Sequence, residues 1–574
     1  MSQTRILLYF LVTTIAIVLW TKYRKSDDVE VPIIKAPIGD ISGMSMVTRH
    51  GRDIFAYKGI PYAQPPIGRL RFKRPQPFKD GSAWQGVFKA EKLAQKCVQI
   101  SPIDGSTEGS ENCLQLNVYV PKRESKTQGK LPVMVWIHGG GFMTGDSTEE
   151  LYGPGALLDK DVILVAMNYR LNILGFLNLG SDDEASGNQG LWDQHEAIKW
   201  VQKNIEAFGG DANRVTVFGE SAGGWSVTSQ VASKVNKGLF HAAIIQSGGI
   251  DQPFLNFDKH RNMPEMHLEF AQKVGCSNVK CLQEKSLEDL YAQFFMFDQC
   301  QFQWELPSPL IWTPSDDSKL SKFPFFAQHP RQMLESGDFN VVPMMMGETR
   351  DEGLVFMAGL EFDQDKLKMF NDNLDECLAL HMLGEYFHQT LPSNVQAKID
   401  KLKQFYLHGN AINVQDWTFR NLSKMNTDGA MIRAGEIQVR QFAKKTPAYY
   451  YQLDFLGTTS VLDFYGKSTM QILIDMLKKV LGLKPKAIGV GHADDLLYLF
   501  TNVLNGLQTE EEAKMSDFMV ELWTNFAIHH NPTPVDNAWP AYGVGGTTYV
   551  RLDTKLVFEL DAEREKRQQF WRDL

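Results

Sequence analysis

The stretch Arg214-Val215-Thr216-Val217-Phe218-Gly219-Glu220-Ser221-Ala222-Gly223 carries an apolar, β-branched run directly into the pattern G-x-S-x-G. Residues branched at Cβ suit a pleated strand, so a strand is expected to feed the serine and a helix to leave it. In such an elbow the serine sits on a strained strand-to-helix turn, and the flanking glycines leave room for tightly apposed backbone. The pentapeptide alone decides little: at ordinary residue usage about 0.2 accidental matches are expected in a chain of 574 residues. Its surroundings have to carry the reading.

Working outward, residues 132–138 (PVMVWIH) and 162–168 (VILVAMN) read as buried central strands. Residues 191–205 place Leu191, Ile198, Val201 and Ile205 on one helical face and stop at Phe208-Gly209-Gly210. Strand, helix and elbow strand thus follow in βαβ order, which points to the α/β class. Upstream, the Gly- and Pro-rich segment 32–84 suggests short antiparallel strands and turns. Downstream, strands are expected at 242–248, 341–346 and 448–453, amphipathic helices across 361–445, and a late helix marked by Met515, Phe518, Leu522 and Phe526. Segment 254–335, dense in aromatics and methionines, reads as a helix-and-loop insertion forming a lid or gorge wall, or as plain core. No internal repeat or low-complexity block divides the chain, so 32–574 reads as one domain after an N-terminal segment 1–31.

Hydrophobic residues make up 43% and charged residues 22%, an ordinary globular balance. The net charge of -9 offers no basic footprint, which excludes nucleic acid as the expected partner. Arg5 followed by the short apolar run 6–20 has the form of a signal sequence, with an uncleaved membrane anchor as the rival. Lys22, Arg24 and Lys25 after that run would favour a cytosolic body by charge bias. The cysteines argue the other way: Cys97/Cys113 and Cys276/Cys281 could close loops in an oxidising compartment, the alternative being free core thiols. Cys300 and Cys377 are read as thiols outside any bridge. Neither pair has the companions of a zinc site, and no metal or cofactor is expected.

Ester or amide hydrolysis needs a nucleophile, a base, an acid that orients the base, and donors for the developing oxyanion. His138-Gly139-Gly140-Gly141-Phe142 follows the first central strand, so the N–H groups of Gly140, Gly141 and Ala222 are the candidate oxyanion donors. A phosphate loop would end in G-K-[ST] or show G-x-G-x-x-G, and this one does neither. Among 13 histidines, His492 in Gly489-Val490-Gly491-His492-Ala493-Asp494-Asp495 lies in a loop of suitable chemistry. After the strand at 341–346, spacing leaves Glu348, Asp351 and Glu352 open as the acid.

The set KGIPYAQPPIGRLRF, GSENCLQLNVYVP, WIHGGGF, NYRLNILGFL, GNQGLWDQ, FGGDANRVTVFGESAGG and GHADDLLYLF resembles the type-B carboxylesterase and cholinesterase family. The likeness runs from Pro37 to the C-terminus, with an insect-esterase flavour. It implies the α/β-hydrolase fold, a large mixed central sheet flanked by helices with helical insertions forming a gorge or lid. It also implies a serine ester hydrolase acting through an acyl-enzyme. The family places its glutamate directly before a glycine and its histidine in G-x-x-H-x-[DE]-[DE], which selects Glu352 and His492 to serve Ser221. Glu220 and Ser247 match supporting positions that line the site. The same likeness implies a Cys97–Cys113 bridge, and Cys276–Cys281 resembles the family's second bridge with a short loop. The first bridge favours a secreted or lumenal domain, and Asn421-Leu422-Ser423 is the one glycan acceptor sequon.

Within the family, cholinesterases carry a cation-binding tryptophan between the first two bridging cysteines, whereas residues 98–112 contain no aromatic ring. Juvenile hormone esterases share Asp193-Gln194 and the His492 loop signature but typically have Gln in place of Glu220. A general carboxylesterase acting on xenobiotic, lipid-derived, hormone or odorant esters is therefore the expected activity. Juvenile hormone esterase, an interfacial lipase and a silent neuroligin-like adhesion protein are the rivals.

Overall fold

The computed structural model describes residues 30–574 except 82, 102–104, 124–128, 181–184, 254–262, 293–310, 358–359, 361–362, 385–390, 465–486, 503–507 and 547. The expected signal or anchor, Cys300 and part of the aromatic insertion lie outside the described residues. No helix among the described residues is long and apolar enough to cross a membrane.

Among the described residues an 11-stranded sheet runs through the fold. Its strands, numbered along the chain, are β1 (Met44–Val47), β2 (Asp53–Pro61), β3 (Gln115–Pro121), β4 (Leu131–Ile137), β5 (Ile163–Met167) and β6 (Gly210–Glu220). There follow β7 (Ala242–Gln246), β8 (Met344–Thr349), β9 (Ala448–Leu453), β10 (Val550–Leu552) and β11 (Leu556–Val557). Their spatial order is β11-β10-β9-β8-β7-β6-β4-β5-β3-β2-β1. From β10 across to β5 neighbours are parallel; outside that block they are antiparallel. The sheet is therefore mixed, with a parallel centre.

Side chains on the central strands are apolar on both faces because both faces are covered. Val133, Val135 and Ile137 of β4 point into one core with Val215 and Val217 of β6. Met134, Trp136 and Phe218 point into the opposite core. Helix α1 (Gln189–Asn204) and helix α2 (Ala222–Ala232) cover the first face through Leu191, Ile198, Val201, Trp225 and Val231. A later helix, α4 (Glu510–His529), covers the second through Met515, Met519, Leu522, Trp523 and Phe526. It starts at a capping box in which Thr509 and Glu512 satisfy each other's backbone N–H. Helices between 364 and 426, including α3 (Trp417–Asn426), form a third cluster beside the sheet.

The chain passes from β4 outward to β5 and then back across to β6 on the other side of β4. That reversal is a topological switch point, where loops leaving the carboxyl ends of adjacent parallel strands diverge and open a crevice. Gly219 of β6 pairs in register with Ile137 of β4, so the loops beginning at His138 and Ser221 emerge side by side.

One shifted boundary bears on the acid. The strand expected at 341–346 is β8, Met344–Thr349: Pro343 brings no N–H to a ladder, and pairing begins just after it. Glu348 consequently lies inside a strand and not in a loop. The apolar run after the histidine, 496–500, forms a short helix, Leu496–Leu499, packed on α4.

Candidate active site

Ser221 stands between β6 and α2 with φ 57° and ψ -123°, a conformation costly for a residue with a Cβ. The strain is held from both sides. Its N–H donates to the Gln246 carbonyl at 2.9 Å, and its own carbonyl accepts the N–H of Trp225 at 2.9 Å. Gly223 has to be glycine, because a Cβ there would collide with the Ile137 carbonyl. The elbow thus sits directly against β4.

The loop leaving β4 packs on Ser221: a Cβ on Gly139 would lie 3.2 Å from Ser221 Cβ. Gly140 and Gly141 adopt positive φ, 104° and 63°, and the Gly140 carbonyl turns inward to accept the N–H groups of Met143 and Thr144. Among the described residues no hydrogen bond takes up the N–H of Gly140, Gly141 or Ala222. Ala222 heads a helix, where the first N–H groups have no carbonyl a turn earlier to bond. His138 is stacked on Tyr169 with ring centroids 4.4 Å apart, and the Tyr169 hydroxyl donates to the His138 carbonyl at 2.8 Å. Burial pushes His138 down to about 4, so the loop carries no positive charge near neutrality. Gln99, which the sequence did not single out, exchanges two hydrogen bonds with the backbone of Gly145, at 2.8 and 3.0 Å, and closes the loop's far end.

His492 is reached by two carboxylates. Its Nδ1 lies 2.5 Å from Glu352 Oε2, and its Nε2 lies 3.1 Å from Glu220 Oε1. The Glu220 approach is a charge contact, since Oε1 has no aligned hydrogen bond among the described residues. Glu352 is itself fixed: its Oε1 accepts from Ser247 Oγ at 2.6 Å and from the Thr349 N–H at 2.7 Å, and it is fully buried. Burial disfavours the imidazolium, but Glu220 and Glu352 outweigh it and carry His492 up to about 9. Burial likewise pushes Glu220 up to about 8, against the pull of His492.

The other acidic candidates are engaged elsewhere. Glu348 is buried against Arg564 of the C-terminal helix at 3.0 Å. Asp351 bonds the Val490 N–H at 2.8 Å and Arg350, so it braces the histidine loop without facing the imidazole. Asp494 performs a similar task, accepting from the Gly491 and Val461 N–H groups and from Ser460 Oγ. Asp495 accepts from Gln246 and Tyr451. The adjacency of Asp494 and Asp495 to His492 was the available signal for both.

These geometries agree with what the chain resembles. A model of the Carboxylesterase family matches residues 30–571. The chain belongs to the carboxylesterase family. It is 34% identical to "Juvenile hormone esterase" of Tribolium castaneum, an alignment covering 88% of this chain and 85% of that protein. It is 33% identical to "Esterase E4" of Myzus persicae, covering 86% of each. Among solved structures, juvenile hormone esterase from Manduca sexta with OTFP covalently attached superposes with a TM-score of 0.79 and 26% identity. That match spans 95% of this chain and 99% of the other. The fold is accordingly the α/β-hydrolase fold, and the protein is a carboxylic ester hydrolase.

Both expected cysteine pairs are joined, Cys97 to Cys113 and Cys276 to Cys281, while Cys377 is a buried thiol outside them. Disulfides of this kind belong to an oxidising compartment. The Asn421 sequon lies within α3, where Asn421 Nδ2 donates to the Tyr406 carbonyl at 2.9 Å and Ser423 is buried. An acceptor sequon is normally read on an exposed loop, and this setting is not one.

Proposed function

We propose that this carboxylesterase cleaves its ester by two-step acyl transfer, with Ser221 as nucleophile, His492 as general base and then acid, and Glu352 orienting His492. His492 removes the Ser221 proton while the hydroxyl oxygen attacks the ester carbonyl. The N–H groups of Gly140, Gly141 and Ala222 hold the oxyanion. His492 returns the proton to the departing alcohol, and water repeats the sequence on the acyl-enzyme. The observation that carries this reading is the 2.5 Å contact of Glu352 with His492 Nδ1, beside an elbow serine held at positive φ. The imidazolium formed in each step gains from Glu352 on one nitrogen and Glu220 on the other.

For substrate, the reading is a broad carboxylesterase acting on uncharged xenobiotic, lipid-derived, hormone or odorant esters. The lack of any aromatic ring in 98–112 supports uncharged over quaternary ammonium substrates. A second reading, juvenile hormone esterase, draws support from the names of the Tribolium relative and the Manduca structure. Glu220 speaks against it. Kinetics on nitrophenyl esters of increasing acyl length, with a choline ester and a juvenile hormone ester alongside, tests both. Broad turnover with no choline preference supports the first reading; kcat/KM for the hormone ester far above all others would replace it with the second. The paired cysteines support passage through the secretory pathway, with the N-terminal segment either removed or kept as an anchor; sequencing the native N-terminus tests which.

A further inference from the structure

Gln246, the last residue of β7, touches both halves of the site without being part of the relay described above. Its carbonyl accepts the Ser221 N–H at 2.9 Å. Its side chain donates from Nε2 to Asp495 Oδ2 at 2.7 Å and accepts at Oε1 from the Trp523 indole N–H at 3.2 Å. The same Asp495 oxygen takes the Tyr451 hydroxyl at 3.2 Å. Gln246 and Asp495 are both fully buried.

A buried amide is costly unless its polar ends are bonded, and an apolar side chain would fill the space between sheet and α4 more cheaply. What a leucine could not do is fix a direction. The chain of contacts runs from the nucleophile's backbone, through Gln246, to the residue that ends the histidine loop. Trp523 and Tyr451 hold that chain from α4 and β9. A second line, from Ser247 through Glu352, reaches the imidazole itself. Asp351 and Asp494 attach the loop to the acid turn and to Ser460 and Val461, and neither bonds the elbow. Two separate attachments, one to the ring and one to the Asp495 side chain beyond it, define an orientation where one would leave a pivot.

We propose that Gln246 is a positioning residue, a strut between the nucleophile elbow and the histidine loop that sets how His492 meets Ser221. This rests on the assignment of those two residues under the proposed function. Because His492 serves both acylation and deacylation, displacing it slows both steps together, so kcat falls while KM holds.

The test uses the full-length enzyme, with active sites counted by an organophosphate titrant and turnover followed on a short-chain nitrophenyl ester. Gln246→Glu replaces the donor with an acceptor facing Asp495; it is expected to lower kcat per titrated site by about 10- to 100-fold at near-constant KM. Adding Asp495→Asn restores a donor–acceptor pair of reversed polarity with the original total charge, and is expected to recover most of the loss. A wild-type kcat per site in Gln246→Glu, or a double variant no faster than the single one, overturns the proposal. Should Gln246→Glu fail to fold, Trp523→Phe, which frees one end of the amide, is expected to lower kcat per site at unchanged KM; an unchanged kcat overturns the proposal equally. Ser221→Ala is run beside them: if it still hydrolyses the ester, the site assignment itself fails, whatever the Gln246 variants do.

Discussion

His492 lies between two glutamates that act on different nitrogens, and their roles are separable. Glu352 has its far oxygen committed to Ser247 and the Thr349 N–H, so it can hold only one orientation toward Nδ1. Glu352→Gln keeps the shape but loses the charge that selects the working tautomer, and is expected to lower kcat by about 10³- to 10⁴-fold. Asp351→Asn keeps an acceptor for the Val490 N–H and should stay within about 10-fold of wild type. Steady-state kinetics of the two variants checks this, and an inactive Asp351→Asn beside an active Glu352→Gln would reverse the assignment. Glu220 raises His492 from the other side. The base acts only when neutral, so activity climbs as pH rises through the His492 value. Removing the Glu220 charge lowers that value. The ascending limb of kcat/KM against pH in Glu220→Gln is therefore expected at lower pH than in wild type; a limb unmoved or shifted upward contradicts this.

At the scale of elements, the site is a product of where parallel strands end. The loops after β4 and β6 are neighbours because those strands pair in register, and the acid turn follows β8, whose Gly347 carbonyl accepts the Ser247 N–H. Gly223→Ala forces a methyl group into the Ile137 carbonyl and must push α2 off the sheet. The expected loss is about 3 kcal/mol or more, read as a lower midpoint in chemical denaturation. Local signals in the sequence were enough for this layer, since buried strands declare themselves as continuous apolar runs and β9 falls on 448–453 as read. What spacing could not resolve was the choice among Glu348, Asp351 and Glu352. Glu348 is removed from contention by Arg564, a partner at the opposite end of the chain, and such a pairing has no local trace. Gln99 and Gln246 were illegible for the same reason: each bonds partners that only the fold brings near. Resemblance to the family, and not spacing, singled out Glu352.

Over the whole molecule, long-range ties hold the site's pieces in place. Arg71 clamps Glu111, one residue removed from bridged Cys113, and also binds the carbonyls of Leu282, Gln283 and Lys285 just after the Cys276–Cys281 bond. The Cys97–Cys113 bond closes a segment of 16 residues' separation, and replacing both cysteines with serine is expected to cost about 3 kcal/mol. A fall in thermal midpoint with little change in kcat per active site is the expected pattern. Loss of kcat at unchanged stability would instead give this loop a part in the chemistry. Under the proposed function Ser221 carries the acyl group. The most direct test is peptide mass mapping after graded inactivation with an organophosphate. One adduct is expected, on Ser221, with an occupancy that tracks the loss of esterase activity; full inactivation with Ser221 unmodified, or hydrolysis persisting with Ser221 fully labelled, would contradict the assignment.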